Sequence, residues 1–551
     1  MHEKILLISG LLIIVFLLVM LAQRLNIAYP IFLVVAGLGI GFIPHLPAVH
    51  LDPEIIFLIF LPPLLYEAAW FTSWRDFWKW KRPIALLAFG LVFLTSLAVA
   101  YVAHAFVPGF TLALGFLLGG IISPPDAVAA TTVMKGLKVP RRTLVILEGE
   151  SLVNDASSLI VFRFALAAVI TGTFSLSQAI GDFFMAAGMG VVIGLIGAHL
   201  MYAAHRFLPT TPAIDAVLTV MTPYLLFLSA EHFHFSGVLA VVSGGLFMSY
   251  RSHEVFRTGS TRVNMQGVWH TLIFAMNTLV FILIGLELPT IVGGLGKVSL
   301  WQGIKYGLII SFAAIAVRLL WIFLIAYLPQ WLPGNSGQEP STGWKNPLIL
   351  GWAGMRGVIS LATALSIPLL MSDGTAFPHR SMIVFITFVA IFVTLVIQGI
   401  TLPILVKLID IKELDSVLPA QEQRSGIQLR LDIIAIHRLH THYTEAVQRN
   451  TLVESYSTNL HNEIESHQIY LTSIEKSTIK DHEHAEFRRI MEDIHDVQRK
   501  ELFKMRKEKT FTDEALRKAE NILDLNDLQL TEARYYSGAH PDKGNKIERN
   551  N

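Results

Sequence analysis

The sequence has no cysteine, which excludes disulfides, thiolate metal centres and cysteine nucleophiles and says nothing of the redox compartment. Charge is scarce as well. Asp, Glu, Lys and Arg make up 15% of the 551 residues, against 53% hydrophobic. The balance of 43 basic to 42 acidic side chains leaves a net charge of +1, so there is no whole-chain attraction to nucleic acid or to an acidic partner. A glycine-rich phosphate loop is missing, and nucleotide binding has no support.

What is present is apolar surface. A mean hydropathy of +0.54 is not that of a soluble domain and marks an all-α polytopic membrane protein. Runs of about 20 apolar residues give thirteen expected spans: 5–22, 29–43, 53–71, 84–107, 111–134, 143–171, 178–205, 213–232, 236–250, 266–292, 300–328, 345–371 and 381–409. The first lacks a small-x-small cleavage site and is followed by further spans, so it reads as a retained helix rather than a signal peptide. Loops after spans three, five and nine carry Lys and Arg (Arg75, Lys79, Lys81, Arg82; Lys135, Lys138, Arg141, Arg142; Arg251, Arg257, Arg262), and the loops opposite them are nearly free of both. The excess of positive charge marks the cytoplasmic side. An odd number of spans then sets the amino terminus outside and the carboxy tail in the cytoplasm.

Residues 1–411 form the expected membrane domain, and 412–551 a charged, water-exposed regulatory tail without long apolar runs. Stretches 426–450 and 512–535 of that tail are amphipathic and helix-prone. His437, His440, His442, His482 and His484 fall in it. Solvated helix positions are their ordinary reading; a zinc site or a pH sensor is the sharper one.

The chemistry concentrates in Gly149-Glu150-Ser151-Leu152-Val153-Asn154-Asp155-Ala156, a polar stretch within an apolar helical run. Carboxylates kept at membrane depth mark function by default. Glu150 and Asn154 are four apart, as are Ser151 and Asp155, so two polar pairs share one side of a helix. Spans five and twelve are also interrupted, at Gly119-Gly120-Ile121-Ile122-Ser123-Pro124-Pro125-Asp126 and at Gly351-Trp352-Ala353-Gly354-Met355-Arg356-Gly357. Adjacent prolines cannot continue a helical ladder, which frees backbone carbonyls there. Five and twelve are seven apart, as a repeat of spans one to six in eight to thirteen requires, and the odd offset inverts the second copy. Two broken helices crossing antiparallel bring amino ends together and carboxy ends together; Asp126 suits the first and Arg356 the second. Close packing through small residues is the plainer explanation of the glycines.

These motifs resemble the cation:proton antiporter 1 family, the bacterial sodium/proton antiporters related to animal sodium/proton exchangers. The likeness rests on Ser123-Pro124-Pro125-Asp126-Ala127-Val128-Ala129, on residues 149–155, on Phe281-Ile282-Leu283-Ile284-Gly285-Leu286 and on Gly354-Met355-Arg356-Gly357, in order over about residues 5–410. It implies inverted repeats of a thirteen-helix protomer, two crossing discontinuous helices, a homodimer in the bacterial inner membrane, and electroneutral exchange serving pH and cation homeostasis. By the same resemblance Asp155 is the carboxylate that takes a cation or a proton but not both. Ser151, Asn154, the carbonyl of Pro125, Asp126 and Glu67 surround it, with Asp155, Ser151 and Glu67 as cation ligands. Glu150 resembles a structural carboxylate paired with an arginine, Arg318 being preferred and Arg356 left to the helix crossing. Many members carry Thr where this chain has Pro125, which removes a hydroxyl and bears on cation selectivity.

The expected activity is secondary antiport of sodium or lithium, with potassium as a third candidate, against protons; no cofactor is called for, and lipid is the surrounding partner. The oxygen donors suit hard cations, and a proton can replace such an ion on a carboxylate that titrates at working pH. Two other readings use the same residues. A cation channel would also line its pore with carboxylates. An intramembrane protease would share a proton between Asp126 and Asp155, but neither lies in the Tyr-Asp or Gly-x-Gly-Asp context of such enzymes. Arg163, eight residues and about 12 Å beyond Asp155 on a helix, has three readings: snorkelling, pairing with a carboxylate, or raising the local potential. Glu231, His232, His234 and Glu287 read as interfacial.

Overall fold

A computed structural model describes residues 2–43, 53–137, 139–172, 176–256, 258–295, 299–331, 343–371, 374–409, 420–472, 489–491, 493–502, 504–505, 515–516, 519 and 522–525. Regular structure among them is helical, apart from one isolated bridge between Leu370 and Ala376. Internal contacts divide the chain into two units, Met1–Leu414 and Asp415–Asn551.

In hydrocarbon every backbone N–H and C=O must find a partner within the protein, and an uninterrupted helix supplies those partners from its own segment. Eight helical runs in the first unit are long and apolar enough to cross a membrane: Lys81–Phe106, Leu112–Met134, Arg141–Thr171, Gly181–Phe207, Pro212–His232, Gly259–Gly293, Leu300–Tyr327 and Arg380–Ile409. Shorter apolar helices occupy Leu12–Arg24, Tyr29–Gly41, Leu58–Phe71 and Gly237–Tyr250. Polar caps set several starts. The hydroxyls of Thr111, Thr211 and Ser236 accept from the backbone N–H of Leu114, Ile214 and Leu239, each satisfying a donor the first turn leaves open.

Some bounds depart from the apolar runs. The helix expected from 266 begins at Gly259, because Thr258 caps it and the polar first turns bury Thr261 and Met265. The run expected to continue to 371 ends at Leu365, two residues before Ile367 and Pro368; the residue preceding a proline is pushed out of the helical region. Arg380 then donates to the carbonyls of Leu365 and Ile367 at 2.9 and 2.8 Å, closing that carboxy end. The basic loop after Phe71 holds a short helix, Trp74–Lys79. Two long helices pass through wider π turns, at Leu86–Leu91 and Val393–Gln398.

The helices Tyr29–Gly41 and Gly259–Leu286 meet backbone to backbone. A Cβ on Gly37 would lie 2.5 Å from the carbonyl oxygen of Ile282, so only glycine allows this approach. Buried Phe281, Ile282, Ile349, Met355, Ile383 and Leu395 belong to the main apolar core, and Tyr66, Trp70 and Trp269 to a second one. Phe184, Leu200, Phe312 and Leu320 point outward, 64–75% exposed, as lipid-facing side chains do.

The second unit contains the helices Ala420–His442, Thr444–Arg449 and Thr451–Thr472. The first and third run antiparallel, with the rings of His440 and His461 5.9 Å apart and Asp432 3.9 Å from His467. The third was not foreseen from the sequence; its polar composition hides the stripe that buries Ser457 and Leu460. His482, His484 and most of stretch 512–535 lie outside the described residues. Among the described residues no group of three His, Asp or Glu could hold a metal.

Candidate ion site at two crossed helix breaks

The first break begins where Leu112–Ile122 ends and finishes at Asp126, the cap of Ala127–Met134. Pro124 and Pro125 have no N–H to give to a ladder. Asp126 restarts the helix: its Oδ1 accepts from the N–H of Val128 at 2.8 Å and of Ala129 at 3.4 Å. The second break separates Lys345–Trp352 from Val358–Leu365. The two breaks are bonded to each other, since the Asp126 N–H donates to the Met355 carbonyl at 2.6 Å.

Charge follows the helix ends at this crossing. A Cβ on Gly357, the residue that opens Val358–Leu365, would overlap the Asp126 carboxylate, so one carboxylate lies against two amino ends. Arg356 lies at two carboxy ends. Its Nε donates to the Ile122 carbonyl at 3.1 Å and Nη1 to the Gly354 carbonyl at 2.7 Å, while its N–H donates to Thr394 Oγ1 in the π turn at 3.1 Å. Each sign matches the partial charge of the ends it meets.

Arg141–Thr171 runs beside the crossing. Asn154 donates to the Pro125 carbonyl at 3.4 Å, and Ser151 Oγ accepts from the Ala127 N–H at 3.4 Å, so both tie this helix to the first break. One turn along, Asp155 is 3% exposed. Its carboxylate has no hydrogen-bond or ion-pair partner among the described residues. It borders a cavity of about 380 Å³ shared with Glu67, Asp126, Pro125 and Ser151. Those expected site residues therefore come together, with Asn154 behind them. Hard oxygen donors bordering such a space can hold a small cation or a proton.

Glu150 lies off this cavity. Arg318 grips it with two bonds, Nη1 to Oε1 at 2.5 Å and Nη2 to Oε2 at 2.8 Å, and also donates to the Leu350 carbonyl at 3.2 Å. Glu150 and Arg318 are 0% and 1% exposed, and Arg356 is engaged elsewhere. Arg163 pairs with Glu231 at 2.7 Å, both partly exposed, and Glu231 also accepts from the Gly237 N–H. Glu287, read from the sequence as interfacial, is 7% exposed.

Several bordering residues were not picked out from the sequence, Glu148 and Asn277 among them. Glu148 stands three residues before Ser151 and seven before Asp155, on the same helical stripe, and borders the cavity. That spacing was available as a signal. Asn277 reaches the same cavity from Gly259–Leu286; a single amide in an apolar helix gave no pattern to read.

A family model described as sodium/hydrogen exchanger, transmembrane, matches residues 11–408. The chain is 34% identical over 390 residues to a sodium, potassium, lithium and rubidium/H+ antiporter of Bacillus subtilis (strain 168), covering 69% of this chain and 58% of that relative. It thus spans under two thirds of that relative's length. It is 30% identical over 501 residues to an uncharacterized Na+/H+ exchanger of Escherichia coli (strain K12), covering 88% and 90% of the two chains. The fold is similar to that of the sodium proton antiporter MjNhaP1 from Methanocaldococcus jannaschii, with TM-score 0.58 at 19% identity, over 74% of this chain and 98% of that one. With apolar helices suited to repeated membrane crossing and a family match over most of its length, the chain is a multi-pass membrane protein that belongs to the sodium/hydrogen exchanger family.

Proposed function

We propose that this protein exchanges sodium or lithium, and also potassium, for protons across a bacterial inner membrane, electroneutrally, with Asp155 as the shared binding group. The observation that carries the reading is the buried, unpartnered Asp155 carboxylate at a cavity beside two crossed helix breaks. Asp155 holds either a cation or a proton. Either occupant cancels its charge, and an uncompensated charge at membrane depth is penalised, so movement between the two membrane faces is favoured with one ligand bound and disfavoured with none. That coupling is what an antiporter needs. Ser151, Asp126, Glu67 and the Pro125 carbonyl complete the cation's oxygen shell. Asn154 holds the break in register, and Arg356 balances the crossing. Glu150 and Arg318 serve as structure.

The finer architecture is part of the proposal. The eight long helices and four shorter ones, with the interrupted pair at Lys345–Leu365, make thirteen crossings, and breaks seven crossings apart fit inverted repeats. The amino terminus is then outside, and the tail from about residue 412 is a cytoplasmic regulatory domain. A homodimer is the expected assembly. A relative named for sodium, potassium, lithium and rubidium supports a broad alkali-cation range.

The test is proton flux in proteoliposomes with an imposed pH gradient, adding sodium, lithium or potassium. Wild type should collapse the gradient without dependence on voltage, and Asp155→Asn should be silent. Cation current without proton movement would replace antiport by a channel.

A further inference from the structure

The exchange reading uses carboxylates, one hydroxyl and one backbone carbonyl, all from Pro53–Phe71, the first break and Arg141–Thr171. A further helix, Gly259–Leu286, also lines the cavity. Ile273, Asn277 and Phe281 are four residues apart on Gly259–Leu286, share one face of that helix, and all three border the cavity with Asp155. Two of the three are hydrophobic, as expected of a wall. Asn277 is not. It is 7% exposed, and its amide makes no hydrogen bond among the described residues. The amide is not sealed into the packing; its polar atoms reach accessible space, and the space that Asn277 borders is the cavity. The wall is also held firmly: the backbone-to-backbone meeting of Gly37 with Ile282 lies five residues along.

We propose that Asn277 is a selectivity residue for the transported cation, its amide oxygen meeting the ion, or a water of the ion's shell, in the cavity it shares with Asp155. An amide oxygen is a hard, neutral donor. It favours a cation without adding a group that titrates, so it acts on the cation half of the exchange and leaves the proton half alone. This rests on the exchange reading above. The amide and the carboxylate, carried by two different helices, would together fix the size of the space offered to the ion, and so the ranking of lithium, sodium and potassium.

The test compares wild type with Asn277→Ala, Asn277→Asp and Asn277→Leu in proteoliposomes, reading apparent KM for the three ions, maximal rate and pH profile. In detergent, sodium-dependent melting shifts are read alongside, since a ligand that binds the folded state raises its melting temperature. Asn277→Ala should raise the sodium KM roughly 3- to 10-fold, the loss expected for one polar contact. It should change the ratio of KM values among the ions while keeping the saturating rate and the pH profile. Asn277→Asp should restore a low KM and, because a carboxylate titrates, move the pH profile that Asn277→Ala keeps. Unchanged KM ratios in both Ala and Leu variants would overturn the proposal. So would a lower melting temperature with an undiminished sodium-dependent shift, which marks a purely structural amide. If wild type itself moves no protons, the exchange reading falls, and the sodium-dependent shift of wild type against Asn277→Ala still decides whether Asn277 contacts the ion.

Discussion

Removing Arg318 tests whether the site helix is held by a buried charge. Its guanidinium makes two bonds to Glu150, at 2.5 and 2.8 Å, and one to the Leu350 carbonyl. Neither charged partner has water to fall back on, with exposures of 0% and 1%. Truncating one partner leaves the other buried and unpaired, at a cost of about 3–5 kcal/mol. Arg318→Met should therefore unfold well below wild type in a thermal melt in detergent, and Glu150→Gln should do nearly as much damage. The double variant Glu150→Gln/Arg318→Met should cost less than the two single changes added together, with a coupling of roughly 2–3 kcal/mol. Because Glu150 does not border the cavity, purified double variant that folds should still exchange cation for proton. Additive costs, or single variants each costing less than about 1 kcal/mol, would refute the account of this pair as a buried structural tie.

Other perturbations separate the remaining parts of the site. Gly357→Ala places a Cβ on the Asp126 carboxylate and should lose at least about tenfold in exchange, with a stability cost of roughly 1–3 kcal/mol, read by flux and by melting. Asp126→Ala should remove the cap on Ala127–Met134 at a cost of about 1–2 kcal/mol, while Asp126→Asn keeps most of it; melting curves distinguish them. Glu148→Gln should raise the sodium KM at low ionic strength, an effect that added impermeant salt removes, since Glu148 is exposed and an exposed charge acts through a screened field. Breaking the partly exposed Arg163–Glu231 pair with Arg163→Gln should change stability by less than about 1 kcal/mol.

The span pattern was legible because membrane helices declare themselves as apolar runs, and stretches such as 53–71 and 300–328 coincide with helices Pro53–Phe71 and Leu300–Trp331. Helix ends were less legible: the start at Gly259, expected at 266, depends on a Thr cap and a polar first turn that hydropathy scores as loop. The breaks were visible as Pro124-Pro125 and Gly354–Gly357, but the Asp126 N–H bond to the Met355 carbonyl is a tertiary contact between residues over two hundred positions apart, and no local pattern encodes it. Asn277 was hidden for the same reason: the cavity it borders is formed by residues distant in sequence. The tail helix Thr451–Thr472 was missed because its partner, not its own composition, buries its apolar stripe.

The central claim is that cation and proton compete for one carboxylate. The most direct test is proton release on adding sodium to purified protein in weakly buffered detergent. The account predicts about one proton released for each sodium bound, as when any metal displaces a proton from its ligand, with no release from Asp155→Asn. Sodium binding without proton release, or equal release from the Asp155→Asn variant, would contradict it.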